Sequence, residues 1–380
     1  MSSSVWSALS TAPAVGGRNI AVRAHLPRGG AEAEPVERTV VVLEADDNCL
    51  VLPEAVVIDP LGIPSLDSLA STHPAGGGGP LAGMEDRRRA REYGVGNAAW
   101  HVQRGLRYVA SLLERPLPVL TVRLNAHGAD WGGGHYRLPA AQYSELIEPR
   151  DVASAGEVHL GAGRRYLPIG AGRYFAAPSH NAAIIYHELG HHVCRHTADF
   201  RGNRHRDPAA QTNLRTGIEE GTCDYLAAVL LGTPDIYGWH RGDRSDADPR
   251  RRRLDTVTTM AAFRGGRDVD PHLDGTVWAT ALWSARLAWQ ACRLEGAAFD
   301  AALLRALDHL GQEVLSADPA EWTPMLRRRR YFSTALAALL DEAQAQPGAH
   351  AGVSAVETAF AERGVVVGQS NAALREAARR

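Results

Sequence analysis

Strand-like runs stop near residue 161, and from residue 271 onward nearly every stretch carries helical spacing. This segregation constrains the chain more than any other feature and predicts an α+β fold. The front runs "NIAVRAHL", "RTVVVLEA" and "LVLPEAVVID" are rich in Val, Ile and Leu and separated by turn residues. A Gly/Pro loop, "STHPAGGGGPLAG" at 71–83, marks a boundary. A helix comes next, with Trp100, Val102, Leu106, Val109 and Leu113 at helical spacing. "LPVLTVRLNA", "GGGHYRLPA" and "EVHLGAG" read as further strands. Residues 180–198 read as a helix opened by Ser179 or Asn181, with Ile184, Ile185, Leu189 and Val193 on its buried face. "GIEEGTCDYLAAVLLG", 217–232, is a second helix closed by Gly232. The back half reads as the helices "GTVWATALWSARLAWQACRLEG", "DAALLRALDHLGQEVL", "RRRYFSTALAALLDEAQ" and "VSAVETAFAERG". The expected organisation is a β-rich segment over 1–90, a strand-bearing lobe over 91–200, a helical lobe over 201–368 and a frayed tail over 369–380.

The 380 residues suffice for two or three structural units. A net charge of -2 gives no support for nucleic-acid or membrane-surface binding. The four cysteines form no CxxC pair, which excludes a zinc ribbon and a thioredoxin-like motif. No run of about 18 apolar residues exists, so no membrane span is expected. The first residues carry no basic, apolar leader, so the sequence as it stands implies the cytoplasm, or secretion if an export signal lies outside it.

The chemistry concentrates in "YHELGHHVCRHT", 186–197. His187 and His191 stand four apart on the predicted helix, so both imidazoles share one face. Two such nitrogens can hold a zinc ion, and Glu188 beside them is placed to take a proton from water. A catalytic zinc needs a third protein ligand and an open position. Glu220, 29 residues after His191, is a candidate for it, and Asp224 one turn on can accept from a histidine N–H. Glu219 reads as a helix N-terminal acid favoured by the dipole. His192, on another face, reads as a bystander, and "CRHTADFRGNRHRD" as an exposed loop on a cleft rim. Cys194 and Cys223 read as small buried hydrophobes, ahead of thiolates competing for the metal or a disulfide across the two helices.

"HELGH" followed by "EEGTCDYLA" resembles the gluzincin metallopeptidases, whose third ligand is the Glu of an E-x-x-x-D helix. The pattern is most similar to the fungalysin-like branch, which has "GEGWSD" where this chain has "EEGTCD". "PHLDGTVWATALW" at 271–283, "AFAERG" at 359–364 and "GNAAWHVQRGLRYVASLL" resemble further stretches of that branch, and together the likeness spans roughly 95–366. The resemblance implies a thermolysin-like, two-lobed α+β fold with the zinc site in the cleft between the lobes. It implies a zinc metallopeptidase, an endopeptidase acting on peptide or protein substrates, with Zn2+ held by His187, His191 and Glu220. Glu188 would be general base and then acid, Asp224 would orient His187, and His272 would donate to the oxyanion. Arg253 would bind a substrate carbonyl. Two departures stand out: Thr276 replaces the usual Glu after Gly275, and 192–219 lacks the tyrosine of thermolysin-type enzymes. Two alternatives to a general protease are a peptidase that trims one biosynthetic precursor and a zinc-retaining binding protein without activity.

Overall fold

The computed structural model describes residues 16–26, 36–69, 84–128, 131–137, 156–162, 177–206, 210–237, 251–266 and 268–380. The chain is mixed α+β, with one principal sheet and many helices. The 71–83 loop lies outside the described residues. Strands β1 (Arg18–Ala24) and β2 (Val36–Val42) form an antiparallel pair with Arg18 opposite Val42. The alternating Ile20, Val22 and Ala24 are buried, as a strand lying on a helix requires. They rest on α1 (Met84–Leu113), where a side chain at Gly96 would press on Val22.

The principal sheet comprises β3 (Glu44–Ala45), β4 (Cys49–Val51), β5 (Ala55–Ile58), β6 (Leu120–Ala126), β7 (Gly134–Arg137) and β8 (Glu157–Gly161). Their order is β3-β4-β5-β6-β8-β7, so β3 and β7 are the edge strands among the described residues. The β5–β6 and β6–β8 pairs are parallel, and the others are antiparallel. Strands from residues 1–90 therefore share one sheet with β6, β7 and β8, and α1 runs across the expected boundary.

Six of the helices form the back of the molecule: α4 (Pro271–Ala291), α5 (Gly296–Ser316), α6 (Trp322–Arg329), α7 (Phe332–Gln344), α8 (His350–Ala361) and α9 (Asn371–Arg379). Helix α4 begins four residues earlier than the spacing predicts, because Asp270 caps it through the His272 N–H and Pro271 suits its first position. The chain breaks again before Gly296, with Arg293 in the left-handed region at φ 63°. The frayed tail is corrected: Ser370 caps α9, Leu374 is buried, and Asn371 bonds to Phe332 N–H and the Arg330 carbonyl.

Two helices carry the site, α2 (Ala182–His196) and α3 (Gly217–Leu231). Ile185, Leu189 and Val193 of α2 pack into the sheet-side core with Val57, Val122 and Leu160. Tyr186 and Cys194 pack into the helical core with Trp278, Phe299 and Phe332. Helix α2 is thus apolar on more than one side and forms the seam between the cores. The helices meet almost backbone to backbone. A Cβ at Gly190 would strike Cys223, and one at Gly221 or Gly275 would strike backbone atoms across the α3–α4 contact. No helix among the described residues is long and apolar enough to cross a membrane.

Candidate metal centre

Helix α2 starts where Asn181 Oδ1 accepts from the N–H groups of Ala183 (2.9 Å) and Ile184 (3.3 Å). Two turns later it buries His187, Glu188 and His191 together. Helix α3 starts at Thr216, whose hydroxyl accepts from Glu219 N–H, and turns Glu219 and Glu220 toward α2. His187 Nδ1 donates to Asp224 Oδ1 at 2.8 Å. His191 Nδ1 donates to Glu219 Oε1 at 2.8 Å. A carboxylate can only accept, so each bond fixes a proton on Nδ1 and turns Nε2 inward, the nitrogen that serves as a ligand once its own proton is lost.

Both Nε2 atoms face Glu220. Its Oε2 lies 3.1 Å from His187 Nε2 and 3.6 Å from His191 Nε2. His272 Nε2, from the first turn of α4, lies 3.1 Å from the same oxygen. The ligand atoms of His187, Glu220 and His272 all fall within 4.8 Å of one another. Buried polar atoms nearby have no hydrogen-bond partner: His191 Nε2, Glu220 Oε1 and Glu188 Oε2. Buried polar atoms without a partner call for one, an ion or a water. Two lone-pair imidazoles and a carboxylate suit zinc chemically. Glu188 Oε2 stands 4.0 Å from His191 Nε2, beside the cluster.

The electrostatics are built to keep the carboxylates charged. Burial alone would raise the Glu219 carboxyl, but Arg201, with Nη2 2.6 Å away, and His191 hold it down at about 2. Burial works against Glu220 too, and His191, His272 and His187 outweigh it and keep its carboxyl low. Asp224 is held low against burial by Arg252, whose Nε is 2.9 Å away, and by His187.

His187, Glu188, His191, Glu220 and Asp224 come together. His272 reaches the cluster itself instead of standing apart from it, and Asp270 Oδ1 accepts from its Nδ1 at 2.6 Å. Arg253 does not reach the site. It pairs with Asp255 at 2.6 Å and Asp235 at 3.6 Å. Its neighbour Arg252 enters instead, over the Tyr237 ring at 4.5 Å. A second arginine, Arg215, stands 3.6 Å from Glu220 Oε1 and 3.5 Å from His272 Nε2.

Glu219 is corrected from a dipole acid to the anchor of His191. The signal for it was the carboxylate pair "EE" facing two histidines, but spacing alone cannot say which acid meets which ring. The rim loop is corrected too, because Thr197, Asp199, Phe200, Arg201 and Asn203 are buried. That stretch is the inner wall that carries Arg201, and Asp207 lies outside the described residues. His192 stays outside the cluster, with its Nε2 on the Pro118 carbonyl at 2.9 Å. Cys194 and Cys223 are buried free thiols, and burial, with Cys194 beside it, pushes the Cys223 thiol up. No protein-family model matches the chain, and no curated protein gives a significant match.

Proposed function

We propose that the chain is a zinc-dependent peptidase of the gluzincin type, hydrolysing peptide bonds with Glu188 as base and then acid. One observation carries the reading. Each histidine of the pair has its Nδ1 tied by a buried carboxylate, so both Nε2 atoms turn to Glu220 beside the unpartnered Glu188 Oε2. A structural zinc site has no use for that last oxygen.

His187, His191 and Glu220 would hold the ion, which would supply Lewis acidity to a scissile carbonyl and to water. Glu188 takes the proton of the attacking water on Oε2 and delivers it to the leaving amine. His272 and Arg215 donate to the oxygen that gains charge as the carbonyl carbon becomes tetrahedral. Asp270 accepts from His272 Nδ1, which orients the ring, and donation from Nε2 requires the doubly protonated imidazolium. Asp224 and Glu219 hold the two ligand rings in place, so little reorganisation is left for the reaction. The two cores joined at α2 support a thermolysin-like, two-lobed arrangement with the site at their junction. Arg215 takes the part that the family resemblance implied for Arg253.

The test is zinc content and cleavage of a peptide library, measured for wild type and Glu188→Gln. Zinc retained in both, with kcat lowered about 10²–10⁴-fold in the variant, is expected. Equal cleavage by the two proteins would overturn the reading. Zinc in both with no cleavage by either would favour the single-precursor peptidase or the inactive binding protein.

A further inference from the structure

A second histidine cluster lies on the face of the sheet turned away from α2. A side chain at Gly134 would meet Ile184 and Glu188, so Gly134 and Tyr136 face α2 and the alternate residue His135 faces the other way. Ladder register sets His135 and Arg123 on either side of His159, and Arg137 opposite Glu157. His127, just past the end of β6, closes the group.

His127 Nε2 lies 3.0 Å from His135 Nε2 and 3.5 Å from His159 Nδ1. One ring nitrogen from each histidine can be chosen so that all three lie within 4.8 Å of one another. The protons of two of the rings can be assigned. His159 Nε2 donates at 2.8 Å to Glu157 Oε2, a fully buried carboxylate gripped by Arg123 at 2.8 and 3.1 Å. That leaves the His159 Nδ1 lone pair turned to His127. Arg137 Nε donates to His135 Nε2 at 3.1 Å, so this nitrogen is unprotonated and its lone pair is held by the guanidinium. A carboxylate behind a histidine, directing its free nitrogen inward, is the arrangement that supports metal-bound imidazole. The Trp131 ring packs against His127 and His135, with centroids 4.7 and 4.6 Å away.

The backbone contributes as well. Asn125 and His127 both sit in the left-handed region, at φ 50° and 62°. The β6–β8 register shifts between Arg123 and Ala126. Non-glycine residues adopt such angles at a cost, and irregularities of this kind re-aim side chains.

We propose that His127, His135 and His159 form a second metal site, for a divalent ion that prefers imidazole, such as zinc. Three neutral nitrogens and an open position fit that class, and oxygen-seeking calcium or magnesium does not. Arg137 swings off His135 Nε2 as the ion enters, since a guanidinium and the ion cannot share one lone pair. The ligands come from the end of β6, from β7 and from β8, so one ion fastens the edge strand whose other face meets Glu188 and His191.

The experiment uses the full chain, stripped with a chelator and titrated with cobalt(II), whose visible absorption reports coordination. Wild type is expected to take up about two ions, and His187→Ala/His191→Ala about one, with a nitrogen-ligand spectrum. Adding His127→Asn to that double variant should abolish the remaining uptake. A folded double variant, judged by circular dichroism, that binds no cobalt would overturn the proposal. If the double variant does not fold, His127→Asn alone decides: uptake falling by one ion per chain supports the site, and unchanged uptake overturns it. Because the two clusters are removed separately, failure of this site leaves the peptidase reading standing, and the reverse also holds.

Discussion

The two histidine clusters are assembled by different means. In the first, α2 sets His187 and His191 one turn apart, and α3 brings Glu219, Glu220 and Asp224 from a single neighbouring helix. In the second, three strands bring together residues 127, 135 and 159 by ladder register and a shifted pairing. Both place a buried, arginine-held carboxylate behind a ring: Glu219 with Arg201 and Asp224 with Arg252 in one, Glu157 with Arg123 in the other. The supporting carboxylate is the element the clusters share, whereas the scaffold beneath it is interchangeable.

The strongest way to break the comparison is to push the helices apart and leave the sheet alone. Gly221→Ala puts a methyl against the α4 backbone at Gly275, which cannot yield as a side chain would. A loss of about 3 kcal/mol is expected in denaturant melts. The first cluster should lose metal affinity and the sheet cluster should keep its own. Wild-type stability in this variant would mean that the close approach is not required.

A smaller effect tests the shared element itself. Asp224→Asn and Glu219→Gln should each weaken zinc binding at the helical cluster by about 10–100-fold, read by competition with a chromophoric chelator. Glu157→Gln should do the same at the sheet cluster only. Equal weakening of both clusters by any one of these changes would show that the two sites are not independent.

The smallest effect concerns Tyr136, which lies between the clusters with its ring 6.4 Å from that of His191. Burial pushes its phenol well above the ordinary value near 10. A folded pKa raised above the unfolded one gives stability that is complete below about pH 10 and is lost as pH climbs toward the folded value. Melting temperature should therefore fall above about pH 10, and less steeply in Tyr136→Phe. An identical fall in both proteins would remove Tyr136 as its source.

The difference in scaffolds also explains what was legible. His187, Glu188 and His191 follow from a spacing written within five residues, because a helix places i and i+4 together whatever surrounds it. Glu220 and Asp224 were legible for the same reason once a second helix was granted. Glu219 was not, since which of two adjacent acids faces which ring depends on how the helices roll against each other. Arg252 and Arg215 were hidden because neighbours in a charged loop carry no periodicity, and Arg253 looked equally suitable. The sheet cluster was hidden altogether: its partners depend on strand order, and β8 inserts between β6 and β7. In the fold, the helical back half followed from apolar spacing. The start of α4 and the existence of α9 turned on single capping residues, Asp270 and Ser370.

Cys194 and Cys223 carry a consequence of another kind. They face each other where α2 meets α3, buried and beyond the reach of reagents in solution. Cys49 and Cys292 are only half-buried. A thiol reagent will therefore mark the outer pair at once, and it will reach the inner pair only when the two site helices part. The rate of that second, slow labelling is a clock inside the protein, timing how often the two helices that carry the proposed site part.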